Sequence, residues 1–383
     1  MGRARSLRHH STSPKMSSSS PPAAEPAAAA APEMSPPEAR LAMMELANMI
    51  AVPMALTAVI RLGVPAAVWA GGANLPLSAA ELLPAGHPDP SVLERLLRLL
   101  ASRGVFSEHA ADGGRERRYA LTAVGRTLVP SAPSGASYAD YVLQHHQDAL
   151  VLAWPRLHEA VLDPAGPEPF ARAHAGVPAY AYYGQDRDAN EVMLRAMTGV
   201  SEPFMEALLD GYEGGFEGVR TLVDVGGSSG ACLEMIMRRV PTIREGVNFD
   251  LPDVVAAAPP IAGVKHVGGD MFKSIPSGDA IFMKWVLTTW TNDECTAILK
   301  KCHDALPDGG KLVACEPVVP ETTDASTRTR ALLENDIFVM TTYRTQGRER
   351  SEEEFRQLGL AAGFAGFRAL YLDPFYALLE YVK

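Results

Sequence analysis

Cysteine is scarce in this chain of 383 residues. The four present, Cys232, Cys295, Cys302 and Cys315, show no CxxC spacing and fall in helix-like and strand-like segments, which excludes a disulfide framework or a zinc ribbon and leaves buried thiols in a reduced chain. Positive charge is also short. With 35 Lys and Arg against 45 Asp and Glu the formal net charge is -10, which argues against sequence-independent nucleic-acid binding, where Lys and Arg must meet phosphates. No uninterrupted apolar run reaches the ~18 residues that a membrane span needs. The nearest, LAMMELANMIAVPMALTAVI, carries Glu45, Asn48 and Pro53 and reads as a kinked amphipathic or interface helix pair. A soluble, cytoplasmic protein without metal, membrane or nucleic-acid partners is the expectation.

What is present is an apolar fraction of 47%, ample for one sizeable core and a smaller second unit. Residues 1–37 are rich in Ser, Pro and Ala, with Arg3, Arg5, Arg8 and Lys15 before the first acid, Glu25; they read as a disordered or targeting extension. Residues 38–135 are helical, with Leu93, Leu96, Leu97 and Leu100 on one face of PSVLERLLRLLASRG, followed by two strand-like runs in VFSEHAADGGRERRYALT, a winged-helix-like pattern suited to packing or dimerisation. Residues 136–210 are helical and rich in Tyr and His, as expected of a substrate-pocket linker. In residues 211–383 strands and helices alternate from TLVDV onward, the signature of a parallel sheet with crossover helices.

DVGGSSG follows TLVDV and opens the helix ACLEMIMRR, so Gly226, Gly227 and Gly230 allow a tight turn and close backbone approach to a ligand. Val225 stands at the first glycine of a GxGxxG fingerprint, which disfavours a dinucleotide. Asp224, Asp250 and Asp270 stand at successive strand ends, where they would repel a pyrophosphate but suit a neutral or cationic nucleoside, with Asp250 placed to accept both ribose hydroxyls. S-adenosylmethionine is such a ligand.

DVGGSSG, NFDLP, HVGGDMF, DAIFMKW and RERSEEEF resemble the plant small-molecule methyltransferases of the caffeate O-methyltransferase type, from about Pro36 to Lys383. The resemblance implies an α/β fold, a Rossmann-like class I methyltransferase domain with an N-terminal, mainly helical, winged-helix-like dimerisation domain. It implies cofactor contacts at Ser201, Gly227, Asp250, Leu251, Asp270, Met271 and Lys284, with Trp290 packing on the adenine. It also implies a homodimer in which the N-terminal helices of one subunit close the partner's pocket, with Asn48 in the closing segment and Met197 among the acceptor-lining residues.

In the phenol-methylating members of that family a His follows the KW dipeptide and takes the phenolic proton; a phenol has a pKa near ~10, so a base is needed at neutral pH. Here WVLTTW puts Thr288 and Thr289 in its place, and threonine is no base. The flanking carboxylates persist as Glu316 and Glu349, so an O-methyltransferase using Glu316 as base is one reading. A pyridine-type nitrogen is the other: its lone pair is free, no proton leaves, and Thr288 need only leave space. TTYRTQG adds Tyr343 and Arg344, whose guanidinium can grip a carboxylate, and QHHQ adds His145 and His146 with Tyr141 one helical turn earlier. An aromatic nitrogen acceptor bearing a carboxylate is nicotinate. YVLQHHQDAL, MKWVLTTWTNDEC and RTRALLENDIFVMTTYRT are, in addition, similar to the plant nicotinate N-methyltransferases that form trigonelline.

Overall fold

The computed structural model describes residues 34–114, 116–132 and 134–383; the extension expected at 1–37 lies, through residue 33, outside the described residues. The chain forms two compact units, divided after Met49. The first unit holds the helix Pro36–Ala47. Two prolines preset its first turn, and the Glu38 carboxylate reaches back 2.9 Å to the Ser35 N–H, satisfying a donor the helix leaves open. Asn48 ends it by donating from Nδ2 to Met44 O at 2.9 Å. The next helix is Ala51–Arg61, so the chain breaks at 48–50 and not at Pro53. Pro53 sits in the first turn of that helix, where a missing N–H costs no intrahelical bond.

The second unit opens with a small core built by the helices Ala51–Arg61, Val64–Trp69 and Ser91–Ser102 against three strands, β1 (Leu77–Ser78), β2 (Phe106–Ala111) and β3 (Glu116–Leu121), in the antiparallel order β1-β3-β2. Leu93, Leu97 and Leu100 are buried here, and Leu96 packs at the margin. The expected helix-plus-hairpin pattern is present. Two elements then pack closely: the helix Tyr138–His145 and the 25-residue helix Arg187–Gly211. Their approach depends on Gly199, since a Cβ there would lie 2.2 Å from the Ser137 carbonyl oxygen.

The remaining chain folds about a seven-stranded sheet of β4 (Thr221–Val225), β5 (Glu245–Asp250), β6 (Val264–Gly268), β7 (Ala280–Lys284), β8 (Lys311–Pro317), β9 (Gly366–Leu370) and β10 (Tyr376–Val382). Its order is β6-β5-β4-β7-β8-β10-β9. The first five strands pair in parallel, as the alternation predicts. β10 runs antiparallel to both β8 and β9, which the alternation does not reveal. The link between β9 and β10, residues 371–375, is too short for a crossover and only allows a hairpin. Apolar residues cover both faces of the central strands, Ile281 and Met283 toward one core and Phe282 toward the other. Strand order reverses between β4 and β7. The crevice beyond their carboxyl ends is where such sheets take ligands, and both the DVGGSSG and WVLTTW turns open into it. Among the described residues no single helix is long and apolar enough to cross a membrane.

Gly199→Ala is expected to lower unfolding stability by about 1–3 kcal/mol, because the added methyl overpacks the contact with Ser137. Urea denaturation of the two proteins measures it.

Candidate active site

Beyond β4 the backbone turns through Gly226 (φ 73°) and Ser228 (φ 52°) to Gly230 (φ 83°), the N-cap of the helix Ala231–Arg239. A left-handed serine must be held in place, and Asp250 does so: its Oδ2 accepts from Ser228 N–H at 2.8 Å while Oδ1 accepts from Leu251 N–H at 2.7 Å. Gly227 has no room for a side chain, since a Cβ would lie 2.2 Å from Asn248 Oδ1 and 2.7 Å from Asp224 Oδ2. Asp224 is buried beneath the turn, and burial pushes its carboxyl up to about 7. Asp270, two residues past β6, accepts from Phe272 N–H at 2.9 Å and pairs with Lys273 at 3.3 Å; that amide bond, ahead of the lysine, holds its carboxyl below the usual range. Phe272 sets its edge against Trp290, ring centres 4.9 Å apart, and Met271 packs on the same core. Lys284 ends β7 with its Nζ 5.0 Å from the Tyr376 ring centre. Ser201 faces the Cys232 thiol, and Leu251 is exposed.

The WVLTTW stretch begins with Trp285 at φ 55°, a conformation that costs of order 1–3 kcal/mol in a bulky residue and persists only where surroundings fix it. They do so here. Val286 and Leu287 N–H both donate to Glu316 Oε1 at 2.9 Å. The fully buried Arg350 donates to Leu287 O at 3.0 Å, to Asn292 Oδ1 at 2.9 Å and to Trp290 O. Gly347 presses on Thr288 and Thr289 so closely that a Cβ would meet the Thr288 carbonyl at 2.9 Å. Thr288 is thereby buried at the centre of a short 3-10 turn, Leu287–Thr289. Thr289 is turned away, its hydroxyl donating to Val286 O at 3.3 Å.

Around Thr288 lie two buried carboxyls. Glu316 is pushed up to about 7 by burial, against the pull of its two amide donors. Glu349 accepts from Asn335 Nδ2 at 2.7 Å and stands well above the usual carboxylate range through burial and the nearby charge of Glu316. The Thr288 hydroxyl and one oxygen of each glutamate find no hydrogen-bond partner of normal geometry among the described residues. The Thr288 hydroxyl lies close enough to Glu349 to ease its charge, and one oxygen of Glu316 stays open beside them, an arrangement that a ligand can complete.

An aromatic wall closes the other side. Tyr141 and His145 have ring centres 4.0 Å apart, His145 stacks on Phe338 at 3.9 Å, and Tyr343 lies 5.9 Å from Phe338 and 5.1 Å from Tyr180. His145 Nδ1 lies 3.0 Å from the Tyr141 carbonyl, which can only accept, so Nδ1 carries the hydrogen. Burial lowers the His145 pKa to about 3 and keeps the ring neutral. His146 likewise spends Nδ1 on Val142 O at 2.8 Å. Met197 is half-buried on the helix Arg187–Gly211, and Asn48 belongs to the first compact unit.

Arg344 is paired within the protein. Its Nη1 and Nη2 donate to the two oxygens of Glu294 at 2.9 and 3.0 Å, with the guanidinium 5.4 Å from the Trp290 ring centre, so the fork that would grip a substrate carboxylate is closed on a protein one. Arg350, Asn335 and Phe338 also stand at the site, with no signal of it in the sequence. Arg350 stands inside the quoted RERSEEEF, but nothing local distinguishes a buried guanidinium from an exposed one. Tyr180 stands in the AYAYYGQ run, whose aromatic density was its only signal. Among the described residues no group of His, Cys, Asp and Glu could hold a metal ion.

Comparison with known proteins gives a consistent result. Residues 154–365 match the O-methyltransferase domain, and residues 44–131 match the O-methyltransferase dimerisation domain. The chain is 85% identical over 358 residues to Nicotinate N-methyltransferase 1 of Oryza sativa subsp. japonica, covering 92% of this chain and 98% of that protein. It is 64% identical to the Glycine max protein of the same name, covering 90% and 97%, and 42% identical to Caffeic acid 3-O-methyltransferase of Zea mays, covering 90% and 96%. The methyltransferase CalO1 of calicheamicin biosynthesis, solved in its SAH-bound form, superposes with a TM-score of 0.76 at 28% identity, covering 91% of this chain and 99% of that one. Human N-acetylserotonin methyltransferase in complex with SAM shares the fold, with a TM-score of 0.74 at 20% identity, covering 90% and 98%.

Because Arg344 is bound to Glu294 at a partly exposed position, Arg344→Ala is expected to cost at most about 1 kcal/mol of stability. Any change in Michaelis constants should fall on cofactor and acceptor together. A rise confined to the acceptor, measured by steady-state kinetics, would return Arg344 to the substrate site.

Proposed function

The chain belongs to the O-methyltransferase family, and from that premise we propose that it is an S-adenosylmethionine-dependent methyltransferase acting on the ring nitrogen of nicotinate to give trigonelline. The observation that carries this reading is Thr288: at the point where a base would have to stand, the chain has a buried hydroxyl between two carboxyls of raised pKa. The relatives named nicotinate N-methyltransferase support the choice of acceptor.

The residues at the turn fit the cofactor. Gly227 lets the turn close down on Asp224 and Asn248, Asp250 offers two oxygens to ribose hydroxyls beside a fixed turn, and Trp290 with Met271 offers an apolar face for adenine next to Asp270. S-adenosylmethionine supplies an electrophilic methyl carbon and a sulfur leaving group. The chain then has to hold the ring nitrogen in line with that carbon and keep water out, and no proton has to be moved. Thr288 leaves space for the ring. The wall of Tyr141, His145, Phe338 and Tyr343 gives it flat surfaces to pack on, and the Tyr141 and Tyr343 hydroxyls stay protonated, held far above neutrality by burial. Such a hydroxyl donates to a carboxylate; with Arg344 paired to Glu294 and the Tyr343 hydroxyl donating to Tyr183, Tyr141 is the donor we assign to the nicotinate carboxylate. His145 and His146 orient the wall.

The dimerisation domain implies a homodimer, in which Asn48 and the helix Pro36–Ala47 reach the partner's site; a cytoplasmic location completes the reading.

The test is methyl transfer from labelled S-adenosylmethionine to nicotinate, nicotinamide and caffeate at equal concentration. Transfer to nicotinate, with nicotinamide and caffeate each slower by at least about a hundredfold, is the expected outcome, since an unmatched buried polar group or a missing base each costs that much. Preference for caffeate would mean that a glutamate has replaced the base.

A further inference from the structure

Two buried oxygens lie beneath the glycine turn, each without a hydrogen-bond partner among the described residues. Asp224 on β4 and Asn248 on β5 are direct register partners in the parallel pair, and both are buried. Asn248 Nδ2 stands 2.8 Å from Ser228 O and 3.0 Å from His266 Nδ1. The Ser228 carbonyl can only accept, so that end of the amide is the nitrogen, both its hydrogens are used, and Oδ1 must point the other way. His266 Nδ1 accepts, so its hydrogen is on Nε2 and runs 2.9 Å to Pro259 O. Asn248 Oδ1 and Asp224 Oδ2 are both buried and neither has a hydrogen-bond partner among the described residues. They converge on one point, for a Cβ on Gly227 would lie 2.2 Å from the first and 2.7 Å from the second. A carboxylate oxygen set against an amide oxygen is repulsive, and a hydrogen on the acid turns the same contact into a bond.

We propose that Asp224 carries a proton in the binding-ready enzyme and donates it to Asn248 Oδ1, closing a chain of Asp224, Asn248 and His266 that pins Ser228 and so shapes the cofactor turn. Ser228 is then gripped from both sides, its N–H by Asp250 and its carbonyl by Asn248, which is how a serine keeps a φ of 52°. Asp224, Asn248 and His266 are positioning residues, and the inference rests on the cofactor reading above. The groups that face Asp224 are Asp250 from β5, Lys284 from β7, Cys232 from the helix Ala231–Arg239 and Cys315 from β8. Burial first and Asp250 second raise its carboxyl to about 7, and Lys284 opposes them. The sign follows. Below that value the proton is present and the chain is closed; as pH rises through it the proton leaves, the two oxygens repel, and the turn loosens.

Calorimetric titration of S-adenosylhomocysteine into the whole enzyme from about pH 6 to about pH 9, for wild type and Asp224→Asn, tests this, because one linked proton changes affinity by up to about tenfold per pH unit. Binding at any pH answers the cofactor reading; the slope answers this one. Wild-type affinity should fall with rising pH above neutrality, and Asp224→Asn, whose amide supplies the hydrogen permanently, should give a flat profile. A wild-type affinity that is flat or rises with pH, as a carboxylate attracting the ligand's ammonium group would produce, overturns the proposal, as does a wild-type slope in the variant. Should the variant not fold, wild type labelled with 13C at the aspartate carboxyls serves. A protonated-carboxyl infrared band present at about pH 6 and fading across neutrality supports the chain, and its absence at about pH 6 overturns it.

Discussion

Everything at the acceptor end of this protein hangs on one carboxylate. Glu316 Oε1 takes the amide hydrogens of Val286 and Leu287, and through them it holds a left-handed tryptophan at the end of the central strand β7. Without an acceptor at that place two buried N–H groups would be unsatisfied, each costing about 1–3 kcal/mol, and Trp285 would be free to relax. Arg350 closes the same turn from outside by taking the carbonyls of Leu287 and Trp290. The position of Thr288 is therefore fixed by groups other than its own, and its hydroxyl is turned to the Glu349 carboxyl.

That arrangement explains how a fold whose relatives include caffeate methylators can serve an acceptor with no proton to lose. Glu316 is occupied as a backbone acceptor, and Glu349 is bound to Asn335 and raised well above the usual range by burial and by Glu316. Two buried acids that share one region cannot both ionise readily, so they supply a site that is close to neutral and largely dry. A pyridine nitrogen, whose lone pair needs neither a base nor water, suits such surroundings, and the packed wall of Tyr141, His145 and Phe338 suits a flat ring.

How far the sequence revealed this varied with the range of the interaction concerned. The cofactor half was legible because its determinants are local: a glycine turn after a strand, with acids at strand ends, and an apolar helix face carrying Leu93, Leu97 and Leu100. Loss of the base was legible too, since Thr288 and Thr289 occupy a position fixed by the preceding KW. The antiparallel β10 was not, because its alternation resembles that of a parallel strand and only the short link to β9 decides it. The pairing of Arg344 was hidden for a like reason: its partner Glu294 is 50 residues away, and Glu294 itself reads from sequence as the capping-box acid of Thr291. The role of Arg350 depends on three segments that meet only in the folded state.

The most direct test of base-free transfer is the single-turnover rate of methyl transfer to nicotinate by Glu316→Gln. Glutamine keeps an oxygen for the Val286 and Leu287 amides, so the turn survives while the candidate base is gone. A rate within about tenfold of wild type is expected, whereas general-base catalysis typically contributes about 10²–10⁴-fold. A loss of that larger size, with S-adenosylhomocysteine still bound as in wild type, would contradict the account and make Glu316 the base.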